Sequence, residues 1–306
     1  MSKGMETSKT YAKPYGILPA VVTPLTSEEK FNEKAMRKLV NYLIDGGVHG
    51  LFITGTTGEF YGLLPEEKRE IFEVTLDETK GRVPVYAGTN GITTKESVML
   101  TQLAEDCGID AVSILTPMFI TPNQDQLIEH YKTIADNTSL PVLLYNNPPK
   151  TGVNLSAAAV AKLAEVPNIV SIKDSSGDLT LTAEYIRLTQ GRDDFNVLMG
   201  RDTLIYGALC YGAAGSIASC ANVAPRLCAD IYDKYMAGDL KGALEAQFKL
   251  APLRIAFTIG TFPAVIKESL ALLGIDAGPC MAPVGPMTTE EREKLRQVLV
   301  GMELLK

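Results

Sequence analysis

Eight short apolar runs recur along the chain with amphipathic segments between them, and this alternation constrains the fold more than any other feature. The runs cover residues 17–22, 50–54, 83–88, 111–115, 142–145, 169–173, 196–199 and 214–218. Their starts are spaced by roughly 30 residues, shrinking to about 18 at the end, which is the length of a strand–helix unit. The stretches between them, at 33–44, 65–79, 95–107, 124–137, 157–164 and 179–189, read as helices. Pro65-Glu66-Glu67 opens one of them with a proline in the first turn and acids at the positive end of the helix dipole. Eight alternations without a linker predict an α/β fold, a (β/α)8 TIM barrel over residues 15–230. A doubly wound open sheet is the alternative. It is weakened because no strand is followed by G-x-G-x-x-G, and Gly55-Thr56-Thr57-Gly58 has the wrong spacing. Beyond residue 230 the strand pattern stops. Residues 239–250, 263–273 and 289–305 read as helices around a Gly/Pro-rich stretch at 278–286. The expectation for 231–306 is a helical appendage packed on the barrel or at a subunit contact.

In a barrel of parallel strands, chemistry gathers at the carboxyl ends of the strands. The sixth run, Asn168-Ile169-Val170-Ser171-Ile172, ends on Lys173 and continues into Asp174-Ser175-Ser176-Gly177-Asp178. An apolar strand of this kind is buried on both faces, and a desolvated amine at its end can attack a carbonyl to form a Schiff base. The plainer reading is a surface lysine at a strand end. After the second run comes Thr54-Gly55-Thr56-Thr57-Gly58-Glu59. Its glycines admit close backbone approach, and its N–H groups and hydroxyls can grip a small carboxylate, although the same residues also make an ordinary strand-to-helix turn. Glu59 reads as a helix-start or loop anchor. The fifth run ends Tyr145-Asn146-Asn147-Pro148-Pro149, where the phenol either shuttles a proton or sits half-buried at the rim. The fourth ends Thr116-Pro117-Met118-Phe119, without acid–base capacity. The seventh gives Gly200-Arg201-Asp202. The eighth gives Gly215-Ser216-Ile217, which suits a phosphate or tight packing, the latter being the commoner reason for such glycines.

Composition removes several function classes. A net charge of −7, with 29 scattered Lys and Arg, offers no basic stripe for nucleic acid. Two histidines, His49 and His130, leave no multi-histidine metal site and no Ser–His relay, and His49 sits in a helix-to-strand turn as a structural residue. The five cysteines (Cys107, Cys210, Cys220, Cys228 and Cys280) form no C-x-x-C and are expected as buried free thiols in a reducing cytoplasm. The polar N-terminal stretch 1–13 lacks the apolar core of a signal peptide. The uncharged segment 203–225 holds three glycines and several polar residues, so it reads as a packed strand with helical flanks and not as a membrane span.

The ordered motifs GTTGE (Gly55 to Glu59), LYNNP (Leu144 to Pro148), IKDSSGD (Ile172 to Asp178) and GSI (Gly215 to Ile217) resemble the pyruvate-dependent Schiff-base lyases, the superfamily of dihydrodipicolinate synthase and N-acetylneuraminate lyase. The resemblance runs over residues 15–273. It implies that Lys173 forms an imine with the C2 carbonyl of pyruvate or another 2-oxo acid, and that Tyr145 relays protons. It implies that Thr56 and Thr57 bind the carboxylate, with Thr56 also bonded to Tyr145, and that Gly55, Gly200 and Ile217 shape the pocket. No metal or organic cofactor is implied, and the assembly implied is a homotetramer, a dimer of dimers.

Three departures fall on the side of the second substrate. The dihydrodipicolinate synthases carry a Pro-Tyr-Tyr pattern after the fourth strand, whose second tyrosine crosses a dimer interface; this chain has Met118 and Phe119. An arginine that takes the aldehyde's carboxylate is replaced by Lys150, which keeps the charge and loses the bidentate fork. Phe262-Pro263 stands where Asn-Pro is usual. The resemblance with these departures implies a lyase or aldolase acting on a 2-keto-3-deoxy sugar acid or a 4-hydroxy-2-oxo acid. A 4-hydroxy-tetrahydrodipicolinate synthase condensing pyruvate with aspartate semialdehyde is the nearest alternative. A dehydratase or deaminase using the same imine, and a non-catalytic 2-oxo acid binding protein, also remain open.

Overall fold

The computed structural model describes residues 11–305; most of the polar N-terminal stretch read for a signal peptide lies outside them. Eight strands, β1 (Gly16–Pro19), β2 (Leu51–Ile53), β3 (Val85–Gly88), β4 (Ala111–Leu115), β5 (Val142–Asn146), β6 (Ile169–Asp174), β7 (Asn196–Met199) and β8 (Gly215–Ala218), pair in parallel in the order β1-β8-β7-β6-β5-β4-β3-β2. The gap between β1 and β2 is bridged by Ala20 and Phe52, and the Val21 N–H donates to the Phe52 carbonyl over 2.8 Å. The barrel is therefore a ring of eight parallel strands.

Helices follow the strands: α1 (Glu33–Asp45), α2 (Pro65–Thr79), α3 (Thr94–Cys107), α4 (Gln124–Asp136), the single turn α5 (Pro148–Thr151), α6 (Ala157–Leu163), α7 (Leu179–Leu188), α8 (Ile205–Tyr211) and α9 (Pro225–Met236). Side-chain caps start many of them. Asn32, Thr93, Asn123, Ser156 and Asp178 each accept an N–H of the first turn, which satisfies donors that the helix leaves unpaired. The helix α9 runs unbroken through residue 230, so the last helix around the barrel extends six residues past the expected boundary. Then come α10 (Leu240–Ala256), α11 (Ala264–Leu272) and α12 (Thr289–Gly301). The helix α10 continues past the predicted end at 250 with Pro252 inside it, although a proline there removes one hydrogen bond of the ladder. No helix among the described residues is long and apolar enough to cross a membrane.

Two apolar layers result. Strand residues pointing inward (Leu18, Phe52, Tyr86, Leu143, Val170, Leu198 and Ile217 among them) fill the barrel. Their alternate neighbours pack outward against the helices in one continuous core. The pairing of β5 with β6 shifts register after Val142, and from there Leu143 faces Ser171, Leu144 faces Ile172 and Tyr145 faces Lys173. Ile172 and Leu144 belong to the outer core, so Tyr145 and Lys173 stand side by side on the inner face.

All five cysteines are free, as expected, but two are not buried: Cys210 is exposed and Cys107 half-buried, because both lie near helix ends at the rim. Burial pushes the Cys220 and Cys228 thiols well above their usual range and Cys280 up to about 12, so these three stay protonated. His49 is structural, its Nδ1 accepting the Ile17 N–H over 3.1 Å at the foot of β1.

The other histidine gives the fold a pH dependence. His130 on α4 stands with Nδ1 2.9 Å from the Thr94 hydroxyl on α3, while its buried Nε2 has no hydrogen-bond partner. Burial holds the imidazole down to about 4. An unfolded chain protonates it near 6.5, so the stability it contributes is complete above that pH and is lost as pH falls toward 4. The expected loss across that window is at most about 3 kcal/mol. Urea unfolding at both pH values should show a smaller loss for His130→Gln than for the wild type, and equal losses would exclude His130 as the group responsible.

Candidate active site

The inner ends of β5 and β6 set the site. The Lys173 side chain is 4% exposed, with Nζ 4.1 Å from the centroid of the Tyr145 ring and 4.9 Å from that of Phe52. No carboxylate among the described residues lies within ion-pair distance of it. Asp174, the next residue along, points to the outer face. There it accepts from the Ser176 N–H (3.0 Å), the Thr182 hydroxyl (2.6 Å) and the Asn146 amide (3.2 Å), fixing the turn into α7. Strand alternation thus separates the amine from its neighbouring acid.

Tyr145 is fully buried, its ring packed with Phe60 and Leu115. Its hydroxyl accepts from Asn147 Nδ2 at 3.0 Å and lies 3.3 Å from Thr56 Oγ1. Burial alone would push the phenol up. The adjacent Lys173 charge, with hydrogen bonds from Thr56, Ser175 and Asn147, outweighs it and lowers the phenol below its usual value. A lowered phenol hydrogen-bonded to a threonine is equipped to pass protons to and from an adjacent amine.

The loop after β2 supplies the hydroxyls. Thr57 Oγ1 lies 3.2 Å from the Ser219 hydroxyl beyond β8. Thr54 and Glu59 bound this loop in the left-handed region, with φ of +48° and +56°. Glu59 anchors it: fully buried, its carboxylate stands 2.7 Å from Lys267 Nζ and accepts the Met281 N–H over 2.7 Å. Lys267 is itself buried and donates to the Pro279 carbonyl over 2.6 Å.

These residues open on a cavity of about 260 Å³ lined by Thr56, Thr57, Tyr145, Asn147, Pro149, Lys150, Lys173, Ser175, Gly200, Arg201, Asp202, Ser219, Arg254, Phe257 and Phe262. That volume falls just under the roughly 300–1,000 Å³ common for drug-sized ligands and suits a small metabolite. A larger groove of about 750 Å³ lies between residues 25–32 and the segment 264–287, and it holds none of the strand-end residues.

The structure brings Lys173, Tyr145, Thr56, Thr57, Gly200 and Lys150 together around the cavity and leaves three expected residues off its wall. Gly55 lies under the loop, where a Cβ would collide with the Phe52 ring, so it lets the loop close down. The Ile217 side chain fills the barrel interior below the cavity. Phe119 is 94% exposed, with φ of +72°, and points away from the cavity of its own chain because the β4 loop turns outward. Gly200 is required sterically, since a Cβ there would collide with the Ser175 hydroxyl. Asn147, Ser175 and Ser219 were overlooked although they directly follow strands, which is the signal that could have found them. Arg254 comes from α10 and Phe257 caps its C-terminus, and no sequence pattern links them to the barrel mouth.

Fold and site define an α/β-barrel enzyme with its chemistry among the strand ends. The profile of the Dihydrodipicolinate synthetase family matches residues 13–301. The chain is 39% identical over 287 residues to the 4-hydroxy-tetrahydrodipicolinate synthase of Methanothrix thermoacetophila, covering 94% of this chain and 96% of that one. It is 39% identical over 291 residues to the synthase of Thermodesulfovibrio yellowstonii, covering 95% and 99%. Among solved structures, it aligns with a prophage protein of the dihydrodipicolinic acid synthase family from E. coli K12 in complex with pyruvate, with a TM-score of 0.92 and 30% identity over 95% of this chain and 99% of that one. The dihydrodipicolinate synthase of Acinetobacter baumannii complexed with pyruvate aligns with a TM-score of 0.92 and 33% identity, covering 95% and 99%. The chain belongs to the dihydrodipicolinate synthetase family and is an enzyme of its class I aldolase type, a lyase or synthase.

Proposed function

We propose that the protein is a pyruvate-dependent lyase that cleaves or forms a 2-oxo acid through an imine on Lys173. The observation that carries this reading is the buried Lys173 amine stacked 4.1 Å from the ring of Tyr145, whose hydroxyl is bonded to Thr56 and Asn147. The Lys173 amine attacks C2 of the 2-oxo acid, and water leaves as Tyr145 passes protons with Thr56. The C1 carboxylate rests on Thr56 and Thr57. In the cleavage direction the protonated imine draws the electron pair of the C3–C4 bond onto C3 as an enamine, and the C4 hydroxyl gives up its proton to leave as an aldehyde. Protonation of C3 and hydrolysis of the imine release pyruvate.

A second reading, 4-hydroxy-tetrahydrodipicolinate synthase, is favoured by the names of the relatives at 35–39% identity. Lys150 and Phe262 weigh against it, because both departures line the cavity where the aldehyde would bind, whereas Phe119 lies off its wall. The exposed Phe119 ring also supports an assembly in which this loop meets a neighbouring chain, the homotetramer implied by the resemblance; light scattering gives its mass.

Borohydride reduction in the presence of pyruvate, followed by peptide mass mapping, tests the imine. The expected result is a reduced pyruvyl adduct on the peptide containing Lys173. An unmodified Lys173 peptide would sink both catalytic readings and favour a protein that only binds 2-oxo acids.

A further inference from the structure

Asn147 stands where an asparagine ordinarily caps a helix, yet its side chain is put to another use. It precedes α5, where a capping asparagine would accept the N–H of the second or third helical residue. Those residues here are Pro149 and Lys150. Proline has no N–H to give, and the Lys150 N–H already donates to the Asn147 carbonyl over 2.9 Å. The run Asn147-Pro148-Pro149 thus leaves the amide no cap to make, and it makes none. The buried side chain turns back two residues instead, and its Nδ2 donates to the Tyr145 hydroxyl over 3.0 Å.

An amide N–H donates and cannot accept. With Asn147 donating to the phenol oxygen, the phenol's own proton is left for Thr56 Oγ1, 3.3 Å away, or for a ligand in the cavity. The partners of the Tyr145 hydroxyl among the described residues, Thr56, Asn147 and Ser175, all belong to this chain. The loop after β4 adds no hydroxyl to them: Met118 packs beside the Tyr145 ring and Phe119 points outward. The charged group against that ring is Lys173 of β6. Phe60, Leu115 and Met118 on its other sides carry no charge, and Lys150, Arg201, Asp202 and Arg254 line the same cavity.

We propose that Asn147 is a positioning residue for imine formation, aiming the Tyr145 proton at the substrate oxygen and stabilising the phenolate left behind. The inference rests on the imine at Lys173. Once the amine has added to C2, the nitrogen lone pair forms C2=N as the C2–OH bond breaks. The departing oxygen takes the Tyr145 proton and leaves as water, so an iminium and a phenolate remain. Hydrolysis returns the proton by the reverse step. Asn147 gains and loses no proton. Its N–H bond to the phenol oxygen strengthens as that oxygen becomes charged, which favours the transition state over the ground state. Without this donor the phenolate is less stabilised and the phenol rises.

The test is the rate of imine formation with pyruvate as a function of pH, read by timed borohydride quenching of the wild type, Asn147→Leu and Asn147→Asp. The alkaline limb marks loss of the phenol proton and is expected in the wild type below the ordinary phenol value of about 10. Asn147→Leu is expected to slow trapping at neutral pH about 10–100-fold and to move that limb up by about one pH unit. KM for pyruvate should stay within about threefold, because Thr56 and Thr57 still hold the carboxylate. Asn147→Asp keeps the shape but, once ionised, cannot donate, so its limb should lie higher still. A structural role alone would lower Tm and raise KM with the limb in place. A limb unmoved, or displaced downward, in the leucine variant overturns the inference. So does a wild-type limb at or above the ordinary phenol value, which needs no variant to fold. Absence of an adduct in the wild type removes the imine and the inference with it, whereas an adduct with an unmoved limb removes only the inference.

Discussion

Lys173→Ala is expected to lower turnover of the 2-oxo acid substrate by at least about 10⁴-fold while leaving the barrel folded. The covalent route depends on one amine, and no other lysine reaches its position. Lys150 opens on the same cavity but lies beyond the end of β5, with its ammonium against Phe262. Stability should move little, or in the opposite direction. The amine is buried between two aromatic rings without an acid partner, and such a group costs folding energy that catalysis justifies. Lys173→Met, which keeps the volume and removes the amine, should therefore raise Tm slightly or leave it unchanged. Residual turnover within about 100-fold of wild type would place the nucleophile elsewhere. A large fall in Tm for the methionine variant would mean the amine holds the strand ends together.

The second large effect concerns a residue far from the chemistry in sequence. Lys267→Met should destabilise the protein by about 3–5 kcal/mol, because it strands the Glu59 carboxylate in a site with no access to water. For a chain of this size that lowers Tm by roughly 5–8 °C. The loss should be local in origin. Thr54 and Glu59 hold left-handed backbone, a conformation that costs about 1–3 kcal/mol per residue and persists only where the surroundings enforce it. The Glu59 contacts to Lys267 and to the Met281 N–H are that enforcement. Thr56 and Thr57 lie within the same loop, so KM for pyruvate should rise together with the loss of stability. A double replacement, Glu59→Leu with Lys267→Met, should recover most of the stability without restoring KM. Thermal melts and pyruvate kinetics on the three variants check both parts; a single variant as stable as wild type would show that solvent reaches the pair.

The strand-ending lysine, the tyrosine three residues before a Pro-Pro and the GTTGE loop were readable because each is an unusual residue at the end of an apolar run. Eight such runs at a near-constant spacing leave few folds other than a closed parallel barrel. Phe119 shows the limit of that reading. Its place after the fourth strand made it a pocket residue, yet the loop carries it outward to 94% exposure, and no local pattern encodes the direction of a loop. Arg254 shows the converse. It reaches the cavity from α10, about 80 residues beyond Lys173, through packing that periodicity does not reveal.

The sequence by itself determined the count of strands, the alternation of strands with helices and the chemical character of each strand end, because these follow from local apolar periodicity and from side chains that interrupt it. Only the tertiary structure decided which face each residue took. The run Ile169-Val170-Ser171-Ile172-Lys173-Asp174 is apolar on both faces, so alternation along it carries no direction. The register shift against β5 turns Lys173 inward beside Tyr145 and Asp174 outward onto Thr182. The pairing of Arg254 with Asp202 likewise depends on contacts between residues about 50 positions apart. Such pairings are set by the packing of whole elements, and a one-dimensional pattern holds no record of them.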